Sequence, residues 1–167
     1  MSVENSKKAW SDLASSSLLL KAVASWRVDP QEWLESAFDR LPETVRVNPL
    51  RQDSEWDEQR LKGVGADRIG WIKGPGSAWE MPYARGSAEG EVRELLKSLH
   101  ETGRITRQEI VSMIPVLAMD ISPGETVLDM CASPGSKTTQ IAECLGDRGI
   151  VFANEISNSR ANTLVSN

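Results

Sequence analysis

The sequence predicts an α/β fold in which a small α+β part precedes the start of a parallel sheet. Residues 126–155 alternate strand, tight loop, helix and strand, which is the pattern of a parallel βαβ unit. Residues 29–104 instead mix helical and strand-like segments with glycine-rich loops. The length of 167 residues and a hydrophobic content of 40% are typical of a globular chain with one or two small domains.

The N-terminal segment, residues 1–28, is Ser-rich and is predicted to be a weak helical arm with Trp10 and Leu13 on it. Asp29 and Pro30 then supply an N-cap and a favourable first helical residue. Apolar residues at helical spacing predict a helix that continues to Leu41 and ends at Pro42; they are Trp33, Leu34, Ala37, Phe38 and Leu41. Residues 44–48 alternate as a half-buried strand does.

Residues 62–90 carry many glycines and are predicted to be loop-rich, with a short strand near Ile69–Ile72. A helix is expected from about Glu89 to His100, because Val92, Leu95, Leu96 and Leu99 form an apolar stripe.

A capping box is predicted at Thr106 and Glu109, with Ile105 and Ile110 placed as its hydrophobic staple. A helix should therefore run from Arg107 onward, through Pro115.

The βαβ unit begins with a predicted strand over residues 126–130, and a tight loop leads into a helix near Lys137. A second strand is expected over residues 150–153, and a last helix over residues 159–166. Ligands of such folds bind at the carboxyl ends of the strands, where Gly135 allows close backbone approach and Glu155 is placed to accept hydrogen bonds from a ribose.

Two phosphate-binding motifs fail in this loop, since a Walker loop and a dinucleotide fingerprint each need glycines that the sequence lacks. A nucleoside without a pyrophosphate, such as S-adenosylmethionine, fits the loop better. From the spacing alone, a merely structural βαβ turn is an equal alternative.

Composition excludes other classes of function. The net charge of −5 gives no support to a nucleic-acid partner, which must be argued from a site. No apolar run is long enough to span a membrane, and the N-terminus has no secretory pattern, so we expect an intracellular protein, cytoplasmic or, in a eukaryote, nuclear. Two cysteines and one histidine cannot form a four-ligand Cys/His zinc site, so no metal is expected.

Three blocks of sequence resemble the RsmB/Nop/Sun family of RNA cytosine-5 methyltransferases. They are Arg46-Val47-Asn48-Pro49-Leu50, residues 107–115, and the loop segment of residues 129–140. Details such as Ser136 and the Ala153-Asn154-Glu155 strand end look most like the eukaryotic-type tRNA branch. The resemblance implies a Rossmann-like class I methyltransferase domain.

The resemblance also implies an S-adenosylmethionine pocket, with Glu155 on the ribose and Arg160 one helical turn further on. Ser157 stands where the family usually has an acid. The expected cofactor-binding residues are Cys131, Ala132, Ser133, Pro134, Gly135, Ser136, Lys137, Glu155 and Arg160.

In the resembling family, a cysteine in a Thr-Cys motif attacks cytosine, and a cysteine in a Pro-Cys motif releases the product. This sequence has neither dipeptide, so no catalytic residue is assigned. We therefore expect this chain to be the N-terminal portion of such an enzyme. Its expected partner is RNA, in particular tRNA. A second chain is one source of the remainder of the methyltransferase domain. Expected domains are an arm (1–28), an RNA-engaging α+β domain (29–104) and a truncated methyltransferase domain (105–167). The alternative is a catalytically dead RNA-binding or partner-binding module.

Several side chains have competing interpretations. Cys131 lies in a loop near a helix N-terminus, where a thiol is a candidate nucleophile, but the family resemblance places it in the cofactor pocket rather than in catalysis. Lys137 is either a pocket residue or a surface lysine, and Trp79 either faces the cleft or packs in the core. Arg85, Arg104 and Arg107 are candidates for phosphate contacts, against the simpler interpretation of a solvated charged face.

Overall fold

The structure, a computed structural model, describes residues 18–26, 29–37 and 39–166. The chain divides into two compact units, residues 1–41 and 42–167. Among the described residues, no helix has the length and apolar character needed to cross a membrane.

The first unit contains helices α1 (Leu18–Val23) and α2 (Pro30–Ser36). Asp29 caps α2 as predicted, since its Oδ1 accepts a hydrogen bond from the Glu32 amide at 2.9 Å. The prediction that this helix continues to Leu41 is wrong. Leu41 is exposed, and the chain must be extended from Pro42 because a strand begins there. Trp10, Leu13 and Phe38, which the sequence placed on helices, lie outside the described residues.

A four-stranded antiparallel sheet opens the second unit, with the strand order β2-β3-β1-β4. Its strands are β1 (Pro42–Val47), β2 (Asp67–Arg68), β3 (Ala78–Ala84) and β4 (Ile105–Arg107). The predicted strand at Ile69–Ile72 is wrong, because the pairing with β3 is made just before it. Ile69 and Ile72 instead bury their side chains in a cluster with Met113.

The main hydrophobic core lies between this sheet and two helices, α3 (Ser54–Gly63) and α4 (Gly90–Glu101). The sequence predicted α4 almost to its ends, whereas α3 was not predicted. The core residues are Val45, Val47, Leu61, Ala66, Trp79, Met81, Leu96, Leu99 and Ile105. Strand β1 is not half-buried as predicted: residues 43–47 are all buried, because polar groups cover the face that the core leaves open.

The capping box predicted at Thr106 is wrong. Thr106 lies in β4 and faces Arg46 of β1, so its backbone is committed to the sheet. Helix α5 begins later, at Ile110, and continues through Pro115 to Ala118. Glu109 is itself the N-cap, since its carboxylate accepts hydrogen bonds from the amides of residues 111 and 112.

The βαβ unit is confirmed. Strands β5 (Thr126–Asp129) and β6 (Ile150–Ala153) pair in parallel, and helix α6 (Ser136–Leu145) connects them. Helix α7 (Asn158–Ser166) follows β6. Helices α5 and α6 cover one face of this sheet through a core of Val116, Val127, Ile141 and Leu145.

Candidate cofactor site

The loop between β5 and α6 is held to both elements by the carboxylate of Asp129. Its Oδ1 accepts a hydrogen bond from the Cys131 amide at 3.2 Å, and its Oδ2 accepts one from the Thr138 hydroxyl at 2.7 Å. Asp129 ends the strand and Thr138 lies in the first turn of the helix. A single carboxylate therefore fixes the path of the loop between them.

Gly135 is the residue that makes the turn into α6. Its φ of 114° lies in a region that residues with a Cβ rarely adopt. Ala132, Ser133 and Gly135 are buried, whereas Cys131, Pro134 and Lys137 are exposed. The loop therefore presents some of its residues to solvent and buries the others.

The ends of β5 and β6 are joined by backbone hydrogen bonds beyond the sheet itself. The Asn154 amide donates to the Asp129 carbonyl at 2.8 Å, and the Ala132 amide donates to the Asn154 carbonyl at 3.0 Å. These bonds bring Glu155 beside the loop, as the parallel arrangement predicted.

Glu155 is enclosed by contacts within the site. Its side chain is 4% exposed, its Oε1 accepts a hydrogen bond from the Ser157 amide, and its Oε2 lies 3.4 Å from Nη2 of Arg160. The same Nη2 donates to the Ser133 carbonyl at 2.9 Å, and the Ser133 hydroxyl donates to the Arg160 carbonyl at 2.8 Å. Arg160 thus contacts both Ser133 and Glu155.

A buried polar cluster holds α6 against β1. Arg46 of β1 donates to both carboxylate oxygens of Glu143, at 2.6 and 3.0 Å. It also bonds the Thr139 hydroxyl at 3.0 Å and the side-chain oxygen of Gln108. Gln108 in turn donates to Oε1 of Gln140 at 3.0 Å. Sheet and helix are therefore locked together by a chain of side-chain hydrogen bonds.

Burial raises the pKa of the Glu143 carboxyl, and the hydrogen bond and charge of Arg46 offset part of that rise. The only sequence signal for this cluster was the block from Arg46 to Leu50, which carried the family resemblance. Its partner Glu143 lies too far along the chain for any local pattern to reveal.

The candidates for RNA contacts, Trp79 and three arginines, differ in burial and in their partners. Trp79 is 6% exposed and donates its ring N–H to the Ser77 hydroxyl at 2.8 Å, so the core interpretation is correct and it does not face a cleft. Arg104 pairs with buried Asp57 at 3.2 Å, and Arg107 pairs with buried Glu43 at 2.6 Å. Arg85 is exposed.

Comparisons with known proteins place this geometry in context. A family model described as 16S rRNA methyltransferase RsmB/F matches residues 116–167. A tRNA (cytosine(49)-C(5))-methyltransferase of Pyrococcus abyssi is 32% identical over 143 residues, which is 83% of this chain and 42% of the relative. A tRNA (cytosine(34)-C(5))-methyltransferase of Drosophila melanogaster is 48% identical over 71 residues, 38% of this chain and 10% of the relative.

A solved structure described as a methyltransferase homolog protein from Pyrococcus horikoshii superposes with a TM-score of 0.63 at 29% identity. The match covers 84% of this chain and 44% of the solved chain. The chain thus spans less than half the length of these relatives.

The parallel βαβ unit and the loop at its carboxyl edge define the class of this protein as a Rossmann-like methyltransferase portion. The predicted family is confirmed as well. The chain is a relative of the RsmB/Nop/Sun RNA (cytosine-C5) methyltransferases, tRNA-type enzymes among them.

Proposed function

We propose that this chain is the S-adenosylmethionine-binding, N-terminal portion of an RNA cytosine-5 methyltransferase, with tRNA as its substrate class. The observation that carries the proposal is the joining of the two strand ends, which sets Glu155 beside the loop of residues 131–137. Ligands of doubly wound folds bind at this edge, and an acidic side chain there accepts hydrogen bonds from ribose hydroxyls.

The side chains present fit such a cofactor. Gly135 leaves the backbone of the loop open to close approach, and Cys131, Pro134 and Lys137 are exposed beside it. Glu155 is covered by Arg160, whose own side chain is 58% exposed. We propose that the ribose takes over the contact that Arg160 makes with Glu155. The residues that would hold the cofactor are Cys131, Ala132, Ser133, Pro134, Gly135, Ser136, Lys137, Glu155 and Arg160.

The bound cofactor supplies an electrophilic methyl group, and this chain's residues hold and orient it. Methylation at carbon 5 of cytosine further needs a cysteine nucleophile at carbon 6, which we assign to none of this chain's residues. We propose that the nucleophile comes from a segment outside this sequence or from a second chain. Residues 29–104 would engage the RNA and residues 105–167 would begin the methyltransferase domain.

The test is calorimetric titration of S-adenosylmethionine into the 167-residue chain and into a Glu155→Gln variant. The variant keeps the shape of the side chain but loses the charged acceptor, so we expect affinity to fall about tenfold or more. Glu94→Gln, the same change at an exposed position of α4, is the matched control and should leave affinity unchanged.

Circular dichroism of each variant shows whether it is folded. Equal affinities of the wild-type chain and Glu155→Gln would contradict the ribose assignment. A folded wild-type chain that binds no cofactor would instead favour the alternative of an RNA-binding module without methyltransferase chemistry.

A further inference from the structure

A groove of about 440 Å³ runs along β4, the edge strand of the antiparallel sheet. One wall is the strand and its continuation, Ile105–Glu109, and the other includes Pro134, Gly135 and Ser136 at the start of α6. The groove has the size of a small-ligand pocket, which a nucleic-acid duplex cannot enter.

Arg51 marks one end of the groove. Asn48 holds the turn before it, since its Oδ1 accepts a hydrogen bond from the Leu50 amide and its Nδ2 donates to the Gly103 carbonyl. The Arg51 guanidinium lies directly over Gly103, where Nη2 would be 2.9 Å from any added Cβ. The absence of a side chain at Gly103 therefore leaves the space that this guanidinium occupies.

Arg85 and Arg107 mark the other end. Arg85 directly follows Ala84, which pairs with Pro42 at the start of β1, whereas Arg51 comes after the end of β1. Arg107 is committed to Glu43, whose carboxylate also accepts a hydrogen bond from the Gly86 amide. Burial raises the pKa of Glu43, but these hydrogen bonds and the charges of Arg107 and Arg85 outweigh it and lower that pKa. Glu43 therefore stays ionised and balances Arg107.

The remaining charge in the groove is positive. Glu109 also lines it, but both of its carboxylate oxygens accept amide hydrogen bonds at the start of α5. Within the part of the chain that the structure describes, neither Arg51 nor Arg85 makes an ion pair. Among the described residues that line the groove there is no Phe, Tyr or Trp, and the one aromatic ring is His100, whose Nδ1 lies 3.3 Å from the Ile105 carbonyl. Base stacking in the groove is therefore limited to a single ring.

We propose that this groove binds the sugar-phosphate backbone of single-stranded RNA, with Arg51 and Arg85 each contacting a phosphate at opposite ends. The inference rests on the RNA-directed part of the proposed function and adds the place and mode of binding. Because the contacts are to phosphate, recognition here is independent of base sequence.

The test measures binding of fluorescein-labelled oligouridylate and oligoadenylate to the 167-residue chain by anisotropy, over a series of salt concentrations. An Arg51→Gln, Arg85→Gln double variant should bind both RNAs about tenfold more weakly or worse. The slope of log affinity against log salt should shrink by about 0.7 for each arginine lost. Arg148→Gln removes an exposed arginine in the β5–β6 connection and should leave both quantities unchanged.

Four outcomes would overturn the proposal, three in the binding experiments and one in the cofactor titration. The double variant could bind as the wild type does, it could lose affinity for only one of the two RNAs, or a polyglutamate peptide could bind the wild-type chain with the same salt slope. The last would assign the groove to an acidic protein partner. Titration of S-adenosylmethionine into the same variants separates this test from that of the proposed function. Weaker cofactor binding by the double variant would place the groove in the cofactor pocket and overturn the RNA assignment.

Discussion

Arg46 and Glu143 form an ion pair in which each side chain is only 3% exposed. The attraction between buried charges is largely spent on their loss of hydration, so such a pair adds little net stability. Removing one partner is costly, however, because the other charge is left buried and unpaired. The pair therefore fixes the position of α6 against β1 rather than simply strengthening the fold.

The first prediction concerns Arg46→Met. We expect the free energy of unfolding at neutral pH to fall by about 3–5 kcal/mol, because Glu143 loses its only buried cationic partner among the described residues. Without Arg46, the pKa of Glu143 should rise further. A carboxyl group whose pKa is higher in the folded than in the unfolded state stabilises the fold at pH values below its unfolded-state pKa. That stabilisation is lost as the pH rises through its folded-state pKa. The destabilisation should therefore be smaller at acid pH, as measured by urea unfolding at both pH values.

Lys97→Met provides the control for this prediction, since Lys97 pairs with Glu101 on the surface with 60% of its side chain exposed. Surface pairs contribute little, so its unfolding free energy should change by less than about 1 kcal/mol at either pH. An Arg46→Met variant as stable as the Lys97→Met one would show that the buried pair has no positioning role.

At this scale the sequence was informative only where the signal was local. Asp29 was correctly predicted as a cap because its partner lies three residues away. The Arg46 partner lies 97 residues away, so the alternation of β1 indicated only a half-buried strand. A buried polar face and an exposed one look the same in the sequence, since both carry polar residues.

Among the elements, those whose caps and periodicity agree with their tertiary setting were predicted well. Helix α4 and both strands of the βαβ unit lie almost where the sequence placed them. Helix α3 was missed because its sequence is charged on most sides and only Asp57 and Leu61 are buried. At residues 105–107 the sheet outweighs the local helix signal, because pairing with β1 satisfies the backbone and buries Ile105.

The loop between β5 and α6 is the element whose shape depends most directly on one residue. A Gly135→Ala substitution puts a Cβ on a residue with φ of 114°, which should cost about 1–3 kcal/mol of stability. We expect a lower midpoint of thermal unfolding, measured by calorimetry.

Gly63→Ala is the matched control, because Gly63 ends α3 and an added Cβ there meets nothing within 4 Å. That substitution should leave the midpoint unchanged or raise it slightly. If Gly135→Ala unfolds at the same temperature as Gly63→Ala, the loop does not need the backbone freedom of glycine.

Over the whole molecule, the two sheets differ in how completely they are covered. Among the described residues, the antiparallel sheet packs on α3 and α4, whereas α5 and α6 cover only one face of the parallel pair. On the other face, Leu128 and Phe152 lie opposite each other in the register and are 59% and 56% exposed. Ile150, in β6, is also exposed, and so is Met130, directly after β5. An apolar surface of this kind on a short parallel sheet favours association.

The last prediction follows from that open face. The 167-residue chain should self-associate with rising concentration, and a Leu128→Thr, Phe152→Thr double variant should shift it toward monomer in sedimentation velocity. Threonine is β-branched, as strands favour, and it removes apolar surface, so the βαβ unit should remain folded by circular dichroism. Leu50→Thr, at a leucine that is 52% exposed near the antiparallel sheet, should leave association unchanged. A wild-type chain that stays monomeric at every concentration, with a cooperative unfolding transition, would show that two strands covered on one face suffice for a soluble fold.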